Sequence, residues 1–226
     1  MATTFQRARN EEQRAQRRKA ILDTAAAMLT EMPVAQVSLN ELSRRVGLAK
    51  SNVLRYFESR EAVLLELLDA ACQELVEHLR TTLPEALDAA APVTERADRI
   101  AAVVASALAE RPVLCDLIGA QAAVLERNVS PQVAAEYKRS AIAGAMAMAE
   151  LVRTHLPELG EHDALRFTGG MIMVTGAVWT HAHPSAAMLA AYEADPALAA
   201  LRLDFASTLR QTLEVLLSGL LARAAG

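Results

Sequence analysis

Apolar residues recur every three or four positions along most of the chain, which is the spacing of helices that bury one face. The first such stripe lies between residues 11 and 32 and comprises Ile21, Ala25, Met28 and Met32. The first dozen residues are predicted as a flexible arm, with Asn10 as the cap of this helix. No run alternates apolar and polar residues between hairpin turns, so no β-strand is predicted.

Two short helices are predicted next, across a tight turn. Ser38 and Glu41 form the S-x-x-E pattern of a capping box at the start of the first. Gly47 is placed to end that helix in the left-handed conformation. A second amphipathic segment begins at Lys50. Two short helices joined by a turn that contains glycine are typical of a helix-turn-helix.

The remainder of the chain is also helical in pattern. A long helix is predicted from the cap residue Ser59 to Pro84, where proline either ends or kinks it. Further helices are predicted over residues 94–110, from residue 112, and over 131–155, 163–180 and 199–223. The stretch between the last two, residues 181–196, is predicted to be looser.

The last two predicted helices carry faces that suit close packing. The final one has an apolar stripe of Phe205, Leu209, Leu213, Leu216 and Leu220. The one before it carries the small residues Gly169, Gly170, Gly176 and Ala177. Such a pair completes the core of a monomer, or it packs against its own copy as a four-helix interface of a two-fold dimer. Periodicity alone leaves both interpretations open.

Charge is distributed unevenly along the chain. Residues 1–60 contain 11 Lys/Arg and 6 Asp/Glu, a balance of +5, whereas residues 61–226 contain 12 and 21, a balance of −9. The two sum to the net charge of −4. A basic N-terminal quarter indicates a local anion-binding face. A solvated helix surface with chance clustering explains the same balance equally well.

Composition and motifs argue against several other classes of protein. No apolar run reaches a membrane-spanning length, and the basic N-terminus does not continue into the apolar core of a signal peptide. Cys72 and Cys115 lack metal-site spacing and are predicted as free thiols in a reducing cytoplasm. His181 and His183 precede Pro184 and are predicted to mark a helix end, where cationic histidine is favoured. We therefore expect no metal, no cofactor and no enzymatic activity.

Residues from about 21 to 68 resemble the DNA-binding domain of the TetR family of transcriptional regulators. The matching segments are "ILDTAAAMLTE" and "SLNELSRRVGLAKSNVLRYFESREAVLLELL". The resemblance covers about a quarter of the chain. It implies an all-α fold in which an N-terminal three-helix helix-turn-helix domain with its arm, residues 1–60, is joined by a long helix to a larger helical ligand-binding and dimerisation domain, residues 61–226.

The resemblance also implies a function. A homodimeric, cytoplasmic repressor would insert its third helix into the major groove of a double-stranded operator, and a small molecule would release the DNA. Two copies on a two-fold axis place these helices about 34–36 Å apart, so the operator is expected to be palindromic. Two alternatives stay open: a helical enzyme or small-molecule carrier with a structural N-terminal module, and a ligand-independent or activating helix-turn-helix regulator.

Individual DNA contacts follow from positions that match the family. Lys50, Ser51 and Asn52 resemble its base-contacting positions, and lysine suits guanine while asparagine suits adenine. Asn40 matches a position that sometimes contacts a base. Arg55 is the other exposed polar position on this helix and is expected to reach bases or backbone.

Phosphate contacts are expected beside these base contacts. Tyr56 and Arg60 match family positions that touch phosphates, and Ser38 with the first amides of its helix suits a phosphate as well. Two residues depart from the family pattern. Ala49 stands where Ser or Thr usually caps the third helix, and Leu54 stands where a phosphate-contacting Tyr is common.

Two further sets of residues are candidates for binding. Arginines in the N-terminal segment can add contacts to the minor groove or backbone, although a mobile solvated tail is an equal alternative: Arg7, Arg9 and Arg14. A small, mostly apolar ligand is expected to contact residues that adapt to irregular shapes or offer a polar group. These are Met146, Glu150, Met171, Thr175 and Trp179, for which filling of the core is the alternative.

Overall fold

The computed structural model describes residues 2–224, with side chains described from Glu11 onward. The all-α prediction is confirmed, because every regular element in this range is helical. The α-helices of the described residues are α1 (Ala2–Glu31), α2 (Leu39–Val46), α3 (Lys50–Val53), α4 (Arg60–Ala86), α5 (Val93–Ala109), α6 (Pro112–Gln121), α7 (Pro131–His155), α8 (Gly160–Ala182), α9 (Ala186–Ala194), α10 (Pro196–Ala199) and α11 (Phe205–Ala224).

The chain divides into two compact units. The first comprises Met1–Leu67 together with Ala120–Ala134, and the second comprises Leu68–Gly119 together with Ala135–Gly226. These units are defined by packing. The assignment of residues 1–60 to DNA binding and of residues 61–226 to ligand binding and dimerisation stays a prediction.

The core of the first unit forms where α1 packs on α2. Ile21, Ala25 and Met28 of the predicted stripe are fully buried. The predicted start of this helix after Asn10 is wrong, since α1 begins at Ala2. No Gly or Pro interrupts residues 2–10, and Gln, Arg and Ala in that stretch are good helix formers. The side chains of Arg7, Arg9 and Asn10 lie outside the described side chains.

Local capping rules determine several helix ends. Ser59 Oγ accepts from the Ala62 N–H at 3.1 Å at the start of α4, as predicted. Ser130 Oγ accepts from the Val133 N–H at 3.3 Å at the start of α7. Pro84 does not end α4, which continues to Ala86. Because Pro84 stands in the final turn, α4 loses only the one bond that its missing N–H would have made.

The second unit is organised by α11, which packs on α5 and α8. A Cβ atom at Gly170 would lie 2.8 Å from Leu216 Cδ2, and the rings of Trp179 and Phe205 are 5.1 Å apart. Residues later in α8 therefore meet residues earlier in α11, so the two helices run antiparallel. A methyl group of Leu216 thus occupies the space beside Gly170.

A second close approach joins α6 to α8. A Cβ atom at Gly176 would lie 3.3 Å from Gly119 Cα and 3.3 Å from the Ile118 carbonyl oxygen. These are backbone atoms, which cannot move aside as the end of a side chain can. Glycine at position 176 therefore permits this contact.

The stretch predicted to be looser is helical, which corrects the prediction. Ser185 Oγ accepts from the Met188 N–H at 3.4 Å at the start of α9. Asp195 Oδ1 accepts from the Ala197 N–H at 2.8 Å, and Pro196 occupies the first position of α10. Both caps are visible in the sequence. The alanine-rich pattern after them has no clear apolar face, and for that reason periodicity failed to detect the helices.

The cysteines are free, as predicted. Cys115 is buried and Cys72 is half-buried. Burial raises the pKa of each thiol to about 12. Both therefore stay protonated and poorly nucleophilic at neutral pH.

Within residues 2–224, no helix is at once long enough and apolar enough to span a bilayer.

Candidate nucleic-acid interface

The turn between α2 and α3 is built as the sequence predicts. Ser38 Oγ accepts from the Glu41 N–H at 3.2 Å, which satisfies one of the unpaired amides at the start of α2. Gly47 ends this helix at φ 71° in the left-handed region. The Leu48 N–H then returns to the Ser43 carbonyl at 3.0 Å. This closure brings α3 immediately after α2.

Helix α3 has one buried side and one exposed side. Val53 is fully buried and Phe57, just beyond the helix, is 4% exposed, so both belong to the core. Four side chains in or just after α3 that are predicted to contact bases are exposed: Lys50, Ser51, Asn52 and Arg55. Two further predicted contacts, at the start of α2, are exposed as well: Ser38 and Asn40. Tyr56 is half-buried beside them.

A polar cleft of about 480 Å³ joins α1 to the end of α3. Its lining comprises Gln13, Arg14, Arg17, Asn52, Arg55 and Tyr56. Three arginines line this arginine cleft, and none of its described lining residues is acidic. Asn52, Arg55, Tyr56 and Arg14 had been predicted as DNA contacts, whereas Gln13 and Arg17 had not. The spacing of Gln13 and Arg17, four residues apart, placed them on one helix face.

The charged side chains of α2 are neutralised by ion pairs. Glu41 accepts from Arg44 at 2.6 Å and from Arg45 at 2.8 Å, and Arg45 also donates to Glu31 at 2.6 Å. Hydrogen bonds from Arg44 and then Arg45 lower the pKa of the Glu41 carboxyl to about 2. The positive charge of α2 is thus balanced locally, while the cleft keeps its three arginines without a carboxylate in its described lining.

Arg60 has contacts that the sequence did not predict. Its Nη1 donates to the Val37 carbonyl at 2.7 Å, and its Nε donates to Glu61 at 3.2 Å. The side chain is only 19% exposed. Arg60 therefore braces the residue before the cap of α2 from the start of α4. A phosphate contact through its remaining donors stays a prediction.

Arg18 is also structural, although it lies in the same basic cluster as Arg17. Its guanidinium lies 4.2 Å from the centroid of the Phe57 ring, and it forms an ion pair with Glu66. A cation over an aromatic face is attracted to the ring. Neighbouring arginines of α1 thus have different roles: Arg18 packs on Phe57 and pairs with Glu66, whereas Arg17 lines the arginine cleft.

Ala49 confirms the missing cap of α3. It stands at the N-cap position in extended conformation, φ −63° and ψ 145°, and makes no side-chain cap bond. We expect Ala49→Ser to stabilise the protein by about 1 kcal/mol, because a hydroxyl there can accept from the second or third amide of α3. Urea unfolding measures this as a raised midpoint. Ala35→Ser, at an exposed position outside any cap, is the control. Equal midpoints for both variants would contradict the prediction.

Two of the five residues predicted to contact a ligand line one groove. Met146 and Glu150 line a groove of about 430 Å³ between α7 and α8, together with Arg153, Glu161 and Leu165. Met146 is 55% exposed, on the side of α7 that the core does not use, and its contact with a ligand stays a prediction. Glu150 is held by Arg153 at 2.6 Å.

The other three candidates follow one side of α8. Met171 is 4% and Thr175 is 1% exposed, and Trp179 is half-buried one turn further on. Thr175 Oγ1 is buried without a hydrogen-bond partner, a condition shared by one other described side-chain atom, Nη1 of Arg18. A buried hydroxyl without a partner loses the hydrogen bonds that it makes in water.

The histidines at the end of α8 lie where the sequence places them. His181 is in the last turn and His183 follows the helix as its cap. The His183 ring stacks on Trp179 with centroids 3.7 Å apart, and its Nδ1 lies 3.0 Å from the Trp179 carbonyl oxygen. The prediction that they mark a helix end is confirmed. Among the described side chains, no group of three or more potential ligands could hold a metal ion.

One face of the antiparallel pair α8 and α11 is uncharged and open. We call it the outer stripe, and it comprises Leu165, Gly169, Met173, Ala177, Val215, Gly219 and Ala222. Met173 and Val215 are each 72% exposed. A Cβ atom at Gly169 or Gly219 would meet no atom within 4 Å. Large exposed apolar side chains beside open glycines are typical of a contact surface.

Comparisons with known proteins cover both units. Residues 21–67 match the family model of bacterial regulatory proteins of the tetR family, and residues 69–224 match the tetracyclin repressor-like C-terminal domain. The transcriptional regulator EthR of Mycobacterium tuberculosis is 38% identical over 65 residues, which are 29% of this chain and 30% of EthR. The curated relative is thus matched over less than a third of its length.

Two solved structures share the fold over most of their length. A TetR transcriptional regulator from Rhodococcus sp. RHA1 is 13% identical with a TM-score of 0.55, covering 90% of this chain and 96% of that one. The regulator FadR of Bacillus subtilis in complex with stearoyl-CoA is 16% identical with a TM-score of 0.54, covering 89% and 98%.

The two family models together account for most of the chain, from the first buried residue of α1 to the end of α11. The fold and the exposed side of α3 agree with them. The chain belongs to the TetR family of helix-turn-helix transcriptional regulators.

Proposed function

We propose that the protein is a cytoplasmic repressor that binds a palindromic operator as a homodimer and is released by a small, mostly apolar ligand. The arginine cleft carries the DNA-binding half of this proposal. It places Arg14, Arg17 and Arg55 next to Asn52, which is exposed for a base contact. Arginine binds phosphate oxygens strongly, and such contacts set affinity and position on the duplex.

The expected DNA contacts divide by chemistry. Lys50, Ser51 and Asn52 would contact base edges from the first turn of α3, where side chains reach the floor of the major groove. Tyr56 and the arginines of the cleft would contact phosphates. Ser38 and Asn40 are exposed at the start of α2 and would contact the neighbouring backbone or a base.

The outer stripe supports the homodimer. Its uncharged face extends along two antiparallel helices, and two such faces related by a two-fold axis form a four-helix interface. Glycine and alanine in the stripe permit close approach of the backbones. The same axis gives the two α3 helices the symmetry of a palindromic operator.

The proposed ligand would contact the side of α8 that carries Met171, Thr175 and Trp179. Methionine and tryptophan favour an apolar body, and the Thr175 hydroxyl favours one hydrogen-bonding group. FadR of Bacillus subtilis shares the fold and was solved with stearoyl-CoA. Acyl-CoA thioesters are therefore the first ligand class to test.

Footprinting on the DNA upstream of the gene tests the proposal as a whole. We expect protection of an inverted repeat, and loss of that protection on adding an acyl-CoA or a cell extract. Transcripts from the same region are expected to rise in a strain that lacks the gene. A fall would identify an activator instead, and an unchanged footprint with every extract would favour the ligand-independent alternative.

Thr175→Val tests the ligand half of the proposal. We expect the variant without ligand to gain about 1 kcal/mol in stability, because valine removes a buried hydroxyl that has no partner. It should also need more ligand to release DNA, because the hydrogen bond to the ligand is lost. Thermal unfolding and operator anisotropy with acyl-CoA measure the two effects.

Thr168→Val is the matched control for this substitution. Thr168 is equally buried in α8, but its hydroxyl donates to the Ala164 carbonyl at 3.0 Å. This variant is expected to lose stability and to keep its response to ligand. A Thr175→Val protein with unchanged ligand response would exclude Thr175 from the ligand site.

A further inference from the structure

Residues 186–203 form a segment that buries none of its own side chains. It contains α9, α10 and the four residues that follow, between α8 and α11. Neither helix has a buried residue. Four large apolar side chains are open to solvent: Met188 is 47%, Leu198 41%, Leu201 71% and Leu203 41% exposed. Leu189 and Tyr192 are half-buried. We call this stretch the connecting segment.

The connecting segment is nevertheless specified as helix. Ser185 and Asp195 cap its two helices through side-chain oxygens. Helices of nine and four residues are too short to be stable alone in water, since isolated helices below about 12–15 residues are marginal. Packing of an apolar face normally supplies the missing stability. A surface that covers the exposed apolar side chains of this segment would supply that stability.

The charge of the connecting segment indicates which kind of surface would cover it. The segment contains Glu193, Asp195 and Arg202 as its charged residues, a balance of −1, and no lysine. Nucleic acids and anionic lipids are bound by clusters of Lys and Arg, which are lacking in the segment. An apolar protein surface fits the composition better.

A second copy of this chain offers such a surface next to the segment. The connecting segment is flanked by α8 and α11, the two helices of the outer stripe. Stable interfaces take about 20–30 residues from each partner. The outer stripe supplies 7 residues, of which 4 are Gly or Ala, and the 15 exposed residues of the connecting segment raise the available total to at most 22.

We propose that the connecting segment packs against a second copy of this chain and extends the interface formed by the outer stripe. This inference rests on the proposed homodimer. Two-fold symmetry makes the contact reciprocal, so each copy covers the segment of the other or pairs with it. The exposed apolar side chains of the segment are then covered in the dimer and open to solvent in the monomer.

Hydrogen exchange on the full chain tests this inference. Peptides within residues 186–203 are expected to exchange at least about tenfold more slowly in the wild-type dimer than in Met173→Glu, a variant expected to be monomeric. Sedimentation establishes the mass of each sample. Equal exchange in the two proteins, fast or slow, would overturn the inference. Protection that arises only with phosphatidylcholine vesicles would overturn it in favour of a lipid surface.

The variant Leu201→Glu tests the role of the connecting segment independently of whether the protein is a homodimer. The variant is expected to remain dimeric through the outer stripe at high concentration, with a dissociation constant raised about tenfold or more. Leu54→Glu, at an exposed leucine of the first unit, is the control and should dimerise as wild type does. If Leu201→Glu also dimerises as wild type, the connecting segment lies outside the interface and the homodimer stands. A monomeric wild type would overturn both.

Discussion

Met173→Glu is expected to convert the dimer into monomers and to lower operator affinity by about 100-fold or more. Met173 is 72% exposed in the centre of the outer stripe, between Gly169 and Ala177. In the proposed dimer its side chain loses water on both copies. A carboxylate buried there without a partner costs several kcal/mol, and two-fold symmetry applies that cost twice.

The loss of DNA binding follows from valency. A dimer holds two half-sites of one operator, and the second contact forms at a high effective concentration once the first is made. A monomer keeps only one half-site. Affinity for an isolated half-site should therefore change little in Met173→Glu, whereas affinity for the full palindrome falls.

Sedimentation velocity and fluorescence anisotropy measure these effects. Val215→Glu, at the equally exposed residue of α11, should behave in the same way. Met146→Glu is the matched control, because Met146 is 55% exposed on α7 and lies outside the outer stripe. Dimers that persist in both stripe variants at micromolar concentration would show that the outer stripe is not the interface.

The parts of the fold that the sequence predicts well are those determined by local chemistry. Ser38 is followed by Glu41 at the spacing of a cap, and Gly47 stands where a left-handed residue is required. Each of these rules involves residues within a few positions of one another. Ser59 was identified as a cap for the same reason.

Side-chain roles that depend on distant elements were not predictable. Arg17 and Arg18 are adjacent in one basic cluster, and a helix turns them to different faces. Only the positions of Phe57 and Glu66 show that Arg18 is held against them. Likewise, the bond from Arg60 to the Val37 carbonyl joins residues 23 positions apart. Charge patterning identified a basic region without assigning these separate roles.

The candidate ligand residues illustrate the same limit. Met146 and Met171 were grouped because methionine suits apolar pockets, yet one is 55% and the other 4% exposed. Residue type does not determine which face of a helix meets the core when alanine is abundant on all sides, as in α7. The same abundance hid α9 and α10. Only the packed structure shows which side chains are buried. It therefore also shows that the buried Thr175 hydroxyl has no hydrogen-bond partner.

Removing Arg17 and Arg55 together is expected to lower operator affinity by roughly 100-fold at physiological salt and to reduce the salt slope by about 2. Both arginines are exposed and line the arginine cleft. Each phosphate contact releases about one counterion, so each alanine should reduce the slope by about 1, for every DNA sequence. Sequence preference should be kept, because it depends on Lys50, Ser51 and Asn52.

The matched control is Lys19→Ala, which removes an equal charge from α1 outside the cleft. Lys19 is paired with Asp23 at 2.7 Å, and its side chain is 74% exposed. Lys19→Ala should leave the salt slope unchanged if location in the cleft determines the contact. A general effect of net charge would reduce the slope equally in Arg17→Ala, Arg55→Ala and Lys19→Ala. Anisotropy titrations at several salt concentrations distinguish these outcomes. Unfolding midpoints close to wild type would establish that Arg17→Ala and Arg55→Ala act on DNA binding, because neither side chain contributes to the core.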